Sequence, residues 1–283
     1  MATVLVRRRK RGPKARVASG RPICLPGMGR CGTSLTTRLV GLLGVDLGPP
    51  SRMMPATEHD NARGYWEQTA IYEVNERLLA LYGGSWAQPP ELPVGWECSP
   101  AVRGMCAQAE RTLAELFPNR AERRWGFKDP RAALTLPFWR SLVGEMDYVV
   151  CVRNPAEVAM SLGARHGPNR IGFEHALELW LRYTRAALAN TQGGRRLILH
   201  YDDYFAHPRR QLGRLAAFVL GAEPSARDIE LLTVVVEGRL RHHRGGAEEL
   251  ERVGEVCPQA LELYLELAHE GMLAPSAAEA VRS

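Results

Sequence analysis

The sequence predicts an α/β fold of three layers, a central parallel sheet flanked by helices, on three observations. Short apolar runs alternate with stretches of helical periodicity. One run, Tyr148–Val152 in "DYVVCVRNP", suits a strand buried on both faces and is stopped by Asn154-Pro155. The first run is followed at once by a glycine-rich turn that opens a helix. Alternation of this kind wraps a parallel sheet on both faces.

Taken in order, "RPICLPG" reads as a short buried strand, and Leu35, Leu39, Leu42 and Leu43 recur at helical spacing as far as Gly44. The stretch "LGPPSRMMPATEHDNARGYWE" is rich in Pro and Gly and too polar for a core element, so it reads as a long surface loop, a kind of segment that often carries function. Ile71, Val74, Leu78 and Leu81 mark an amphipathic helix ending at Gly83-Gly84. After the break "GGSWAQPPELPVGWECSP", a further helix runs through Leu113, Leu116 and Phe117. "RRWGFKDPRAALTLPFW" reads as a short strand entering a charged turn. Beyond Tyr148–Val152 come a helix with Val158, Ser161 and Leu162, a long amphipathic helix through Phe173, Ala176, Leu177, Trp180 and Leu181, the strand "RRLILHYDD", and a helix closed by Gly221.

The chain has 283 residues, enough for one large core. Residues 1–20 read as a disordered basic arm and residues 21–283 as a single α/β domain. The net charge of +6 is uneven: seven cations between Arg7 and Arg16 meet no acid, and the remaining 30 basic and 31 acidic residues sum to −1. The body is therefore not a basic protein, no nucleic-acid partner is expected of it, and the arm is read as solvated. No apolar run approaches the roughly 20 residues of a membrane helix, and the arm has no apolar core of a secretory signal. Six scattered cysteines without C-x-x-C pairs fit free thiols in a reducing cytoplasm. Oligomeric state is left open, a homodimer included.

In "PGMGRCGTSLTTRLV", Gly27 and Gly32 hold the glycine places of the nucleotide-hydrolase pattern G-x-x-x-x-G-K-[ST], but Thr33 stands where its lysine should be. A glycine turn feeding a helix N-terminus binds anions through unpaired N–H groups and the helix dipole. Without the lysine, the arrangement for β- and γ-phosphates with Mg²⁺ is incomplete. Arg30 instead offers a fixed fork inside the loop, with Gly29, Cys31, Gly32, Thr33 and Ser34 completing a P-loop-like cradle. No metal is expected, since His242-His243 lack further ligands.

"GMGRCGTSLTTRLV" resembles the 5′-phosphosulfate loop of sulfotransferases that use 3′-phosphoadenosine 5′-phosphosulfate (PAPS), in the bacterial-type branch with an arginine in the loop, and departs from it at Cys31. "VCVRNPAEVAMSL" resembles that family's 3′-phosphate signature, with Arg153 and Ser161 on the matching positions. "HYDDYFAHPRRQLGRLAAFVLG" is similar to a further block of the family, in which Asp202 and Asp203 are read as structural. The resemblance implies a P-loop-like fold and a PAPS-dependent sulfotransferase, moving a sulfuryl group to a hydroxyl of a small-molecule, glycan or lipid acceptor in the cytoplasm. An ordinary salt bridge of Arg153 to Glu157 or Asp147 is the competing reading of that arginine.

Sulfuryl transfer needs alignment, cations at the bridging oxygen and a base. Arg30 and Lys128 of "GFKDPR" are the candidate cations, with Arg131 a further rim candidate; Lys128 alternatively pairs with Asp129 at the surface. Glu67 is the candidate base, its proton affinity expected to rise through packing by Tyr65 and Trp66; Glu58 and His59 are its rivals, and a helix-dipole charge or a rim salt bridge its alternatives. Arg239, Arg241, His242, His243 and Arg244 read either as a lid over the 3′-phosphate or as a solvated run. Trp66, Trp86, Trp96 and Trp139 line an acceptor site or pack the core. Two other functions fit less of the pattern: a nucleotide kinase with a degenerate P-loop, and a non-catalytic nucleotide- or nucleic-acid-binding module.

Overall fold

The structure, a computed structural model, describes residues 20–55, 64–167, 169–236 and 245–271. The basic arm through residue 19, the rival bases Glu58 and His59, and the cluster Arg239–Arg244 lie outside the described residues. Four strands form one parallel sheet: β1 (Ile23–Leu25), β2 (Gly126–Lys128), β3 (Asp147–Val152) and β4 (Arg196–His200), in the order β2-β1-β3-β4. All four occupy runs that the apolar pattern predicts. Leu25 lies beside Lys128, and Val152 beside His200, so the carboxyl ends of the strands share one rim.

Alternation along the strands divides the core. Ile23, Leu25, Val149 and Leu199 face one helical layer, built on α1 (Thr33–Leu42), α8 (Pro208–Leu220) and α9 (Ala226–Thr233). On the other face, Cys24, Phe127 and Tyr148 pack with α2 (Thr69–Ala80), α3 (Pro100–Leu116) and α4 (Ala132–Val143). Val150 and Val152 meet α5 (Pro155–His166), α6 (Phe173–Asn190), α10 (Ala247–Val256) and α11 (Pro258–Gly271). A short turn, α7 (Asp203–Ala206), links β4 to α8.

Helix α4 corrects the reading of its segment as a charged turn. Pro137 lies inside it, and a proline lacks the N–H that would reach the carbonyl four residues earlier. That carbonyl, of Ala133, accepts instead from Asn190 Nδ2 at 2.8 Å. Asn75 of α2 adds a second tie, its Oδ1 accepting from Thr135 Oγ1 at 2.6 Å and Trp139 Nε1 at 2.8 Å. Tertiary hydrogen bonds thus sustain a helix that the local sequence disfavours. Trp139 and Trp96 are buried in this layer, so of the four tryptophans only Trp66 and Trp86 remain candidates for a ligand wall.

At the end of β4, burial pushes the His200 imidazole down to about 4, against a hydrogen bond between Nε2 and the Leu267 carbonyl at 2.9 Å. The unfolded chain then binds a proton that the folded one refuses. Stability should be full above about pH 6.5 and decline as pH falls toward 4, read as a falling urea midpoint that flattens in His200→Gln.

Candidate active site

Strand β1 pairs with β2 on one side and β3 on the other, so the chain runs from β1 outward to β2 and then crosses back past β1 to β3 and β4. Such a switch point opens a crevice at the carboxyl ends of the strands. A cavity of about 600 Å³ lies there, lined by Gly29, Arg30, Gly32, Thr33, Ser34, Glu67, Lys128, Arg153 and Ser161, while Cys31 lies outside its wall.

The loop is held open to anions by its backbone. Gly32, at φ 85°, precedes α1 without a side-chain cap, and the first turn of that helix carries no acid. A Cβ on Gly32 would stand 2.3 Å from Cδ2 of Tyr201, so only glycine fits between loop and ring. Among the described residues, the two non-glycine residues at positive φ are Arg30 (70°) and Trp66 (59°), and both line the cavity. Each such conformation costs on the order of 1–2 kcal/mol, held here by the surrounding contacts. Cys31 is buried beneath the loop, where desolvation pushes its thiol up to about 12 despite the nearby Arg153 charge. It stays a neutral thiol and fills a small-residue slot.

One end of the cavity collects Arg30, Arg153 and Ser161. Arg30 Nε donates to Ser161 Oγ at 2.9 Å, and Arg153 donates to the Arg30 carbonyl at 3.1 Å. Ser161 lies on α5 about two turns beyond Arg153, which brings both to one face. Arg153 also pairs with buried Glu157 at 2.8 Å and stacks over the Tyr201 ring at 4.6 Å. The competing salt-bridge reading of Arg153 is thus present in the structure, and it fixes the guanidinium at the cavity wall. Arg30 and Lys128, the two candidate cations, both line the cavity, and Arg30 is bonded there to Ser161.

The second group is built around Glu67. Lys128, the last residue of β2, is 3% exposed and pairs with Glu67 Oε1, while Nζ also donates to the Tyr65 carbonyl at 3.2 Å. This corrects the surface pairing with Asp129 as the alternative for Lys128. Glu67 itself is 6% exposed, and its Oε2 lies 3.5 Å from an Arg131 nitrogen. Each carboxylate oxygen thus has a cation beside it, Lys128 at Oε1 and Arg131 at Oε2. The rim salt bridge foreseen as an alternative is what the structure contains. Ser34 Oγ donates to the Tyr65 carbonyl at 3.1 Å, tying the glycine loop to the segment that carries Glu67.

Sequence reasoning missed Arg38, Tyr72, Arg165, His166, Tyr183 and Tyr201, all in the cavity wall. Arg165 had a usable signal, standing four residues beyond Ser161 on the same helix face. Tyr183 did not, because its place depends on the loop after α2: its hydroxyl donates to the Trp86 carbonyl at 2.9 Å, and Trp86 meets His166 with ring centroids 5.1 Å apart.

A glycine turn, a helix N-terminus and two arginines at the switch point of a parallel sheet define a P-loop-like α/β protein with a cationic rim. More particularly, the fold is that of the sulfotransferases. The sulfotransferase domain of the Synechococcus PCC 7002 olefin synthase superposes with a TM-score of 0.51 over 92% of this chain and 98% of its own, at 17% identity. Sulfotransferase STF9 of Mycobacterium avium gives 0.49 at 15% identity, covering 87% of this chain and 77% of its own. STF1 of Mycobacterium tuberculosis gives 0.47 at 19%, covering 84% and 76%. No family model and no curated protein matches the sequence. Among the described residues, no helix is long and apolar enough to cross a membrane.

Proposed function

We propose that this protein is a PAPS-dependent sulfotransferase acting on an acceptor hydroxyl. The observation that carries the reading is one cavity lined at one end by Arg30, Arg153 and Ser161 and elsewhere by the Lys128–Glu67 pair. The donor carries charge at a 3′-phosphate and at a 5′-phosphosulfate, and the cavity has cations for both. Arg153 and Ser161 hold the 3′-phosphate, the amides and hydroxyls of Gly29–Ser34 hold the 5′-phosphosulfate, and Arg30 stands between the two.

In the transfer, Glu67 takes the acceptor hydroxyl proton. The acceptor oxygen forms a bond to sulfur, and the sulfur–oxygen bond to the 5′-phosphate breaks with its electron pair on the phosphate oxygen. Lys128 and Arg30 stabilise that charge. The products are a sulfate ester and adenosine 3′,5′-bisphosphate. The acceptor is a small molecule, glycan or lipid, taken against the rings of Tyr72, Trp86 and Tyr183.

The test is transfer of labelled sulfate from PAPS across an acceptor panel, with ATP and Mg²⁺ as the control donor. Wild-type protein should consume PAPS alone, and Arg30→Ala should lower kcat by about 100-fold or more. Consumption of ATP instead would replace the reading with phosphoryl transfer.

A further inference from the structure

Both oxygens of Glu67 are engaged by cations in this structure, Oε1 by Lys128 and Oε2 by Arg131. A cation on each oxygen favours the charged carboxylate, so giving one up leaves that oxygen readier to receive a proton. We propose that Arg131 is a positioning residue that keeps hold of Oε2, while Lys128 is the partner that leaves Oε1 for the sulfuryl donor. The inference rests on the sulfotransferase reading.

The two cations are built differently. Arg131 is anchored on every side: Nε on Glu76, one terminal nitrogen on Asp129 at 3.1 and 3.3 Å, its own backbone N–H on Asp129 Oδ1 at 2.8 Å, and its guanidinium 4.2 Å from the centre of the Tyr72 ring. Its planar fork is held before any ligand arrives. Lys128 is a point charge on a flexible stem, with the Tyr65 carbonyl at 3.2 Å as its other bond.

The charges around Glu67 point the same way. They are Lys128 from β2, Asp129 and Arg131 from the turn before α4, and Glu76 with Tyr72 from α2, giving three carboxylates against two cations. Burial pushes the Asp129 carboxyl up and Glu67 adds to the push, while Arg131 opposes it. Were Arg131 to leave, buried Asp129 would lose its described cation and Lys128 alone would be held to Glu67. Were Lys128 to leave, Arg131 would still cover both. The arrival of an anionic donor therefore draws Lys128, and Oε1 becomes the site that takes the proton of the acceptor hydroxyl. Donor binding thereby precedes the readiness of the base.

Carboxyl carbon NMR of ¹³C-glutamate-labelled protein, with Glu67 assigned through Glu67→Gln, follows the carboxylate directly. In Arg131→Gln the Glu67 midpoint should move upward from that of wild type, and kcat should fall about 100-fold with the affinity for adenosine 3′,5′-bisphosphate held within about threefold. Arg131→Lys should recover part of kcat. An unmoved midpoint with unchanged kcat overturns the proposal, and so does a parallel loss of bisphosphate binding, which would make Arg131 a donor ligand. If Arg131→Gln does not fold, Glu76→Gln removes an anchor at a side chain 23% exposed and should move the midpoint the same way by less; no movement there overturns the proposal. If wild-type protein neither binds the bisphosphate nor transfers sulfate, the functional reading fails, while the Glu67 midpoint still decides its coupling to Arg131.

Discussion

Glu67→Gln should lower kcat by about 10³-fold while leaving adenosine 3′,5′-bisphosphate affinity within about twofold of wild type. Glutamine keeps the shape of the carboxylate but offers one acceptor oxygen where Glu67 meets two cations, and it cannot take a proton at neutral pH. The donor end of the cavity, at Arg30, Arg153 and Ser161, does not touch Glu67 through any of the contacts described. Binding and chemistry should therefore separate. The same change breaks a buried pair, leaving Lys128 at 3% exposure with only the Tyr65 carbonyl described beside it. A loss of about 3 kcal/mol or more of stability is expected alongside, read by urea unfolding. Bisphosphate binding measured on the folded fraction keeps the two effects apart. An active Glu67→Gln would return the role of base to Glu58 or His59.

What was legible in the sequence follows from which interactions are local. The strands were legible because a sheet buried on both faces demands unbroken apolar runs, and Tyr148–Val152 has no other use. The glycine loop was legible because Gly32 has a conformational requirement that no neighbour can relieve. Helix α4 was not, because Asn190, far along the chain, satisfies the carbonyl that Pro137 strands. The partners of the site residues were equally hidden. Glu67 and Lys128 were each visible as candidates, but their pairing joins the segment before α2 to the end of β2, and sequence spacing carries no trace of it. The helices α9 to α11 lie beyond Gly221, where the resemblance ends, although Ser225 and Asp228 form a capping box that announces α9.

The 3′-phosphate should dominate nucleotide affinity: adenosine 3′,5′-bisphosphate should bind about 100-fold or more tightly than adenosine 5′-phosphate. The expectation turns on whether Arg153 is spent on Glu157. Its Nε and a terminal nitrogen both reach Glu157 Oε2 at 2.8 Å, in a pair four residues apart that an ordinary helix salt bridge would also produce. Two facts favour a further role. The guanidinium stacks on the Tyr201 ring and donates to the Arg30 carbonyl, at the wall of the cavity. Glu157 in turn accepts from the Gly245 backbone N–H at 3.0 Å, so the pair has a second support that keeps it in place when an anion arrives. Arg153→Ala is a poor probe because it would leave Glu157 buried and uncompensated. Ser161→Ala is the cleaner one: it removes a single hydroxyl that accepts from Arg30, and should weaken bisphosphate binding by about tenfold while barely changing that of the 5′-phosphate. Equal affinities of the two nucleotides for wild-type protein would return Arg153 to the helix salt bridge and take the 3′-phosphate assignment away from this end of the cavity.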